Sequence, residues 1–291
     1  MSPFRLLLLL GALLFAGPSV RLARTDADPA LWAVRDADTT IYLFGTIHIL
    51  RPGLGWFDEA VRAAFDRSDT LVLELLPPSP EAMQALIGEI GTSPTPLPRR
   101  IGAEETARVE AALATLGLEP HALDRYDPWF AATVLSVQSL NRLGYASAEG
   151  AETVLGAQAV RAGKHVEGLE TAREQFTMLD TLPDEAQRKL LAVTIAELPE
   201  TRANIEQTIT AWSRGDTAAL RALADAELRA SPEIERAMLL QRNARWADWI
   251  AARMQHPGTV FVAVGAGHLA GPGSVQDQLA ARGLKAKRIA Y

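Results

Sequence analysis

Two continuous apolar runs dominate the pattern of hydrophobic and polar positions along the chain. Residues 40–44 and 259–264 are rich in β-branched and aromatic side chains and do not alternate with polar ones. Such runs are typical of strands that are buried on both faces of a sheet. Each run ends in the motif Gly-x-x-His, which places a histidine at His48 and at His268. Because ligand-binding residues of α/β sheets lie beyond the carboxyl ends of the strands, we expect both histidines to face one site.

The rest of the pattern predicts the elements around these two strands. Residues 31–34 and 40–44 flank a short polar turn, which predicts a β-hairpin. Further strands are predicted over residues 70–75, 164–170 and 285–289. Helical periodicity covers residues 57–66, 81–161 with breaks at 92–98 and 118–120, and 171–255 with a break at 214–216. We therefore expect one α/β domain over residues 24–291. Its mixed β-sheet is formed by N- and C-terminal strand–helix blocks, with a large, mostly helical insertion between them.

Residues 1–23 have the layout of a secretory signal peptide. Arg5 precedes the apolar run 6–15, and small residues follow it. The run is too short for a comfortable transmembrane helix. We expect cleavage between Gly17 and Thr25, a periplasmic or secreted protein, and no stable membrane anchor afterwards. An uncleaved N-terminal anchor is the alternative.

Charge and cysteine content exclude several classes of function. The net charge is -6 and the 29 lysine and arginine residues are scattered, so no basic face is available for nucleic acid. The chain has no cysteine, which excludes a lipid-modified cysteine, a disulfide framework and thiol chemistry. Nothing in the pattern specifies an oligomeric state.

Two glutamates occupy strand positions that resemble those of the histidines. Glu74 lies inside the apolar run 70–75, and Glu170 ends the predicted strand 164–170. A buried, unpaired carboxylate is costly, so Glu74 requires either a cationic partner or a metal. Glu170 alone could be an acid at a helix N-terminus, and each histidine alone could be a hydrogen-bonded core residue. The four residues together favour a site whose ligands are exposed at the strand ends.

In these segments the sequence resembles the TraB/GumN family, to which the Wnt-cleaving Tiki proteases are related. The resemblance covers residues 31–289. It rests on residues 31–34, 42–48, 72–75, 168–171 with Gln175, 241–243 with Trp246, and 262–269.

The resemblance implies roles for particular residues. His48 and His268 are implied as metal ligands or catalytic groups, with Glu74 and Glu170 as their acidic partners. Arg242 and Asn243 match the family's Arg-Asn pair, whose role is to orient the substrate or Glu74, or else to cap a helix or form an ion pair.

An acidic residue is also expected after a tyrosine, and here the chain departs from the family pattern. Tyr145 is followed by both Glu149 and Glu152. Glu152 fits the pattern better as a metal ligand, and Glu149 is the competing candidate.

Imidazoles combined with carboxylates form a nitrogen and oxygen ligand set that suits Mn²⁺, Fe²⁺, Co²⁺ or Zn²⁺, and the absence of thiolates argues against a structural zinc site. The Tiki branch consists of divalent-metal-dependent proteases, which favours manganese, cobalt or iron over zinc. We therefore expect a metal-dependent hydrolase acting on a peptide or a small amide or ester. The alternative is a non-catalytic peptide-binding or sequestering protein of the pheromone-shutdown type.

Overall fold

A computed structural model describes residues 25–230 and 232–290, with the backbone alone at 225–230. The predicted signal peptide lies outside the described residues. The strands in the described part are β1 (Thr25–Asp26), β2 (Leu31–Arg35), β3 (Thr39–Thr46), β4 (Leu54–Gly55), β5 (Thr70–Leu75), β6 (His165–Glu170), β7 (Gly258–Gly265) and β8 (Lys287–Ile289).

Helices fill most of the space between these strands. They are α1 (Glu59–Arg67), α2 (Pro80–Ile90), α3 (Leu97–Ile101), α4 (Ala103–Leu116), α5 (Pro128–Arg142), α6 (Ala151–Arg161), α7 (Ala172–Asp180), α8 (Asp184–Glu197), α9 (Thr201–Ser213), α10 (Thr217–Ala230), α11 (Pro232–Glu235), α12 (Gln241–Arg253) and α13 (Val275–Ala280). The predicted α/β class and the helical insertion between the terminal blocks are confirmed.

A six-stranded sheet in the order β6-β5-β7-β3-β2-β8 forms the centre of the molecule. Strands β6, β5, β7 and β3 are parallel, whereas β2 is antiparallel to both of its neighbours, β3 and β8. The predicted hairpin is confirmed, with Leu31 opposite Phe44 and Arg35 opposite Thr40. Strand β7, close to the C-terminus, lies between β5 and β3. The sheet thus joins the two ends of the chain at its centre.

Both faces of the sheet are covered, because neighbouring residues of each strand point to opposite sides. On one face, Ile41 and Leu43 pack with Val260 and Val262 against α12 and α13. On the other face, Tyr42 and Phe44 belong to the larger core that includes the helical insertion. Burial of each large apolar side chain contributes about 1.5–3 kcal/mol, so this double-sided packing fixes the strands firmly.

Local sequence signals fix several helix boundaries. Thr171 and Glu174 form a reciprocal capping box at the start of α7, and Ser274 accepts the Asp277 backbone N–H at the start of α13. Two features are not anticipated by the sequence pattern. One is the π-helical turn Arg236–Leu240 before α12, and the other is the short parallel ladder between β1 and β4. Among the described residues, the helices are too short or too polar to span a bilayer.

Candidate functional site

The register of β3 and β7 brings the two Gly-x-x-His motifs together. Thr46 pairs with Gly265 in the parallel ladder, and a histidine follows shortly after each of them. A Cβ atom on Gly45 would lie only 3.1 Å from the Cα atom of Ala266. The first glycine of one motif therefore allows the backbone of the other motif to approach closely.

Glu74 and Glu170 lie at the same edge of the sheet. Strand β5 lies beside β7, and Glu74 Oε2 accepts the Gly265 backbone N–H at 3.1 Å. Strand β6 lies beside β5, with Leu75 opposite Glu170. All four candidate residues therefore lie at or just beyond the carboxyl ends of four adjacent parallel strands.

Arg242 links the two glutamates. Its side chain is fully buried, and it donates to Glu74 through Nη2 and to Glu170 through Nε, which lies 2.9 Å from Oε2. It also donates from Nη1 to the Met238 carbonyl at 3.1 Å, within the π-helical turn that precedes α12. Burial lowers the pKa of Arg242, but Glu74 and Glu170 raise it by a larger amount. The net pKa is therefore raised and the guanidinium stays charged.

Glu170 is surrounded by donors. Besides Arg242, Gln175 Nε2, Arg245 Nη2 and Trp246 Nε1 donate to its carboxylate at 3.3, 3.0 and 3.1 Å. A simple acid at a helix N-terminus, the alternative role of Glu170, would not need these side-chain donors. Its oxygens anchor the guanidinium of Arg242 and the indole of Trp246.

His268 is fully buried, and its two ring nitrogens have different partners. Nδ1 lies 2.6 Å from Asn243 Oδ1, while the Asn243 amide nitrogen donates to the Gly273 carbonyl. Because the Asn243 oxygen can only accept, the proton is on Nδ1 and the lone pair is on Nε2. Nε2 accepts from Arg242 Nη1 at 3.1 Å and lies 4.0 Å from Glu74 Oε2. Burial, Arg242 and His48 keep the pKa of His268 well below its usual value, so the ring is neutral.

His48 has an analogous arrangement with a carboxylate in place of the amide. Its Nδ1 lies 2.5 Å from Glu152 Oε1, which also accepts the hydroxyl of Thr46. Its Nε2 is buried and has no hydrogen-bond partner among the residues that the structure describes. Burial lowers the pKa of His48, but the charge and hydrogen bond of Glu152, helped by Glu74, give a net increase.

The short helix α6 positions Glu152 against His48. The Ala151 N–H donates to the Ile47 carbonyl at 3.0 Å, so the start of α6 is fixed on the segment that carries the histidine. Of the two competing glutamates, Glu152 contacts His48. Glu149 instead lines a cavity of about 150 Å³ together with Arg51 and Trp56.

The expectation that the histidines are exposed at the strand ends is wrong. His48 is only 9 % exposed and His268 is 0 % exposed. The helical layers extend beyond the strand ends and cover the edge of the sheet, which the strand pattern alone does not indicate. Burial strengthens the electrostatic interactions of these groups, because a low-dielectric environment screens charges less than water does.

Sequence reasoning missed two contributors to this site, Thr46 and Arg245. Thr46 ends β3 inside the first Gly-x-x-His motif, and its hydroxyl bonds Glu152. Arg245 follows Arg242 by one helical turn, which is the spacing that places two side chains on one helix face. That spacing is the signal that could have identified it.

Among the described residues, the group of three ligand-type side chains whose ligand atoms all lie close to one another is found away from the sheet edge. Glu110, His121 and Asp124 hold one nitrogen or carboxylate oxygen each within 4.8 Å of one another. The His121 side chain is 70 % exposed and forms ion pairs with both acids when it is protonated. These contacts account for the cluster without a bound ion.

The fold and the site define an α/β protein with two imidazoles, a buried arginine and three carboxylates at the carboxyl edge of a parallel sheet. The chain belongs to the TraB/PrgY/gumN family, whose model matches residues 30–288. It is 25 % identical over 266 residues to the "Uncharacterized protein YbaP" of Escherichia coli (strain K12), covering 86 % of this chain and 92 % of the relative. It is 24 % identical over 276 residues to an "Uncharacterized protein" of Treponema pallidum (strain Nichols), covering 87 % and 80 %. No solved structure gave a significant match.

Proposed function

We propose that this protein is a metal-dependent hydrolase that acts on a peptide or a related small amide or ester. One observation supports this most strongly. Each of the two histidines has its Nδ1 engaged by a side-chain oxygen, Glu152 for His48 and Asn243 for His268, which leaves the ring lone pair on Nε2. The Nε2 of His48 has no partner among the described residues, and that of His268 accepts from Arg242. Histidine ligands of protein metal sites are oriented in this way by an acceptor on the opposite ring nitrogen.

The donor set suits a divalent cation. The residues that would hold it are His48 and His268 through Nε2, and Glu74 through Oε2, which lies 4.0 Å from His268 Nε2. The orphaned, buried Nε2 of His48 is an unsatisfied ligand atom of the required type. His268 Nε2 would exchange its hydrogen bond from Arg242 for the cation. When bound, a divalent cation lowers the pKa of a water molecule and polarises a carbonyl group.

The charged side chains around the site have a net negative charge, which a bound cation would balance. The carboxylates of Glu74, Glu170 and Glu152 outnumber the guanidinium groups of Arg242 and Arg245 by one. Burial and Arg242 lower the pKa of His48, but Glu152 and, less strongly, Glu74 raise it by more and so favour a proton on its ring. A cation and that proton compete for the same compensating charge.

The glutamates have different capacities to move a proton. Both oxygens of Glu170 are occupied by Arg242, and one of them also accepts from Arg245 and Trp246. Glu74 Oε2 accepts the Gly265 N–H and retains an unused lone pair towards His268. Glu74 is therefore the better candidate for a ligand or a general base, and Glu170 for the residue that positions Arg242. General-base catalysis of this kind typically contributes about 10² to 10⁴ in rate.

The alternative is that the protein captures peptides without cleaving them. An open groove of about 640 Å³ lies beside the segment that follows His48 and supports this second candidate. Capture alone gives no reason for two buried imidazoles in the same tautomeric arrangement, so hydrolysis is the better supported function.

Metal content and peptide turnover together test the proposal. The purified protein is loaded in turn with Mn²⁺, Co²⁺, Fe²⁺ and Zn²⁺, its metal content is measured after dialysis, and a diverse peptide mixture is analysed by mass spectrometry. We expect about one ion per chain and cleavage that EDTA abolishes, with manganese, cobalt or iron more effective than zinc. Cleavage unchanged by EDTA would contradict the metal mechanism, and stoichiometric peptide binding without cleavage would favour capture.

We also propose that the mature protein resides in the periplasm or is secreted, on the strength of the signal-type pattern in residues 1–23. Mass spectrometry of the N-terminus of the native protein tests this. A start between Gly17 and Thr25 is expected, and recovery of intact Met1 from the cytoplasm would contradict it.

A further inference from the structure

An open groove is lined in part by the loop that follows His48 and by the loop that precedes Glu152. The loop after His48 and the loop before Glu152 are joined by an isolated antiparallel bridge between Leu50 and Ala146, with N–H to carbonyl distances of 3.3 and 2.9 Å. Arg51 donates to the Leu143 carbonyl and lies over the ring of Tyr145, 4.3 Å from its centroid. The groove is therefore rigidly connected to both residues.

The walls of this groove combine apolar and polar side chains. Its volume is about 640 Å³, and it is lined by Thr25, Arg51, Pro52, Gly53, Leu54, Tyr145, Glu206, Ile209 and Thr210. One side is formed by Gly53 and Leu54, and the other is the face of α9 that contains Glu206, Ile209 and Thr210. An exposed strand edge beside a surface that receives alternate side chains is the arrangement by which proteins bind peptides as added strands.

The chain itself already forms such a pairing. Thr25–Asp26 runs parallel to Leu54–Gly55, and the Thr25 N–H donates to the Gly53 carbonyl at 2.7 Å. Both Thr25 and Asp26 are exposed, so little apolar burial fixes this ladder in place. A two-residue ladder without a buried face is weak, and another extended backbone can replace it.

We propose that the substrate is an extended peptide that adds as a strand to Leu54–Gly55, lies in the groove beside α9, and displaces Thr25–Asp26. This inference rests on the proposed hydrolase function and names its substrate class. Main-chain hydrogen bonds supply the affinity, and the apolar side chains of Leu54 and Ile209 contribute to the selection of the peptide's side chains. Thr25–Asp26 acts as an internal competitor for the same edge.

Two pairs of variants test the groove and the competitor separately. Thr210 is exposed on α9 and its hydroxyl bonds only within the helix, so Thr210→Trp fills the groove without altering the core. Ala203→Trp is the matched control, since Ala203 is exposed on the same helix and does not line the groove. Thr25→Pro removes the N–H that donates to Gly53, whereas Thr25→Ala retains it.

The probe is a fluorescein-labelled unfolded peptide rich in valine and threonine, and its binding is measured by fluorescence anisotropy in EDTA so that no turnover is required. We expect Thr210→Trp to weaken binding at least about tenfold and Ala203→Trp to leave it unchanged. Thr25→Pro should tighten binding and Thr25→Ala should not. A probe with N-methylated backbone amides should bind at least about tenfold more weakly than the parent peptide, because strand addition uses backbone N–H groups.

Failure of this proposal is distinguishable from failure of the hydrolase function. If the wild-type protein binds no peptide, or if Thr210→Trp and N-methylation both leave affinity unchanged, the groove is not the peptide site, even when peptides are cleaved. If binding follows the expected pattern but no divalent metal yields cleavage, the groove is retained and the hydrolase function is rejected.

Discussion

The carboxylate oxygen Oε1 of Glu152 lies 2.5 Å from the Nδ1 atom of the His48 imidazole. This contact leaves the Nε2 atom of His48 without a partner among the described residues. In the proposed metal site, His48 would be the ligand and Glu152 the residue that positions it. Substitutions at the two residues can therefore separate the loss of a metal ligand from the loss of the group that orients this ligand.

We expect His48→Ala and Glu152→Gln to differ in metal affinity. Removal of an orienting carboxylate costs about 10–100-fold in affinity, and removal of the ligand itself costs more. Glutamine retains a carbonyl oxygen that accepts the Nδ1 proton, so Glu152→Gln should fall in the lower range. Isothermal titration with Mn²⁺ or Co²⁺ measures both affinities. Equal losses for the two variants would mean that Glu152 is itself a ligand.

We expect metal content to distinguish Glu74→Gln from Glu170→Gln. Glu74 Oε2 lies near His268 Nε2, whereas the oxygens of Glu170 are occupied by Arg242, Arg245 and Trp246. Glu74→Gln should therefore reduce metal occupancy, and Glu170→Gln should mainly reduce stability. Elemental analysis of both variants, combined with their melting temperatures, provides the comparison. Full occupancy in Glu74→Gln together with loss of turnover would instead make Glu74 the general base.

Arg242→Ala should be strongly destabilising. The change leaves Glu74 and Glu170 buried without their shared cation, and breaking a buried ion pair in this way costs about 3–5 kcal/mol. The control is Arg245→Ala, because that side chain is 52 % exposed and its pairing with Glu170 contributes at most about 1 kcal/mol. Urea denaturation followed by circular dichroism measures both free energies of unfolding. Similar values for the two variants would contradict the central position assigned to Arg242.

A methyl group at Gly150 should disturb the attachment of α6 to His48. A Cβ atom there would lie 2.1 Å from the His48 carbonyl oxygen, a distance that forces the backbone to move. We expect Gly150→Ala to cost about 1–3 kcal/mol, as overpacking typically does, and to weaken metal binding. Thermal denaturation and metal titration measure the two effects.

Gly156→Ala is the matched control on the same helix. Nothing lies within 4 Å of a Cβ atom at Gly156, so alanine should stabilise the helix by about 0.5–1 kcal/mol. A stabilising effect at both glycines would show that α6 does not fix His48.

The sequence was sufficient to predict that the two Gly-x-x-His motifs follow buried strands, because the apolar runs before them are long and continuous. The continuous apolar runs of β3 and β7 are typical of parallel strands that are buried on both faces of a sheet. Neighbouring parallel strands end at the same edge of the sheet, so the residues that follow them lie close together. Of the roles left open for Arg242, the structure shows an ion pair, which it forms with both Glu74 and Glu170.

Other features of the site depend on interactions that no local pattern records. The pairing of Arg242 with Glu74 spans 168 positions of sequence, and the identity of the partner is decided only by the packing of α12 on the sheet. The burial of His48 and His268 depends on how far the helical layers extend past the strands. The ladder of β1 with β4 is two residues long, below the length at which residue alternation is informative.

The central position of β7 has a consequence for how the chain acquires its structure. Strand β3 cannot complete its parallel ladder until residues 258–265 have been synthesised, although β3 itself lies near the N-terminus. Contacts between such distant segments form slowly, because a long loop must close first. We therefore expect folding to begin in the helical insertion and to end with insertion of the last long strand. A chain truncated before Gly258 would lack both the middle of its sheet and one of the two imidazoles of the candidate site.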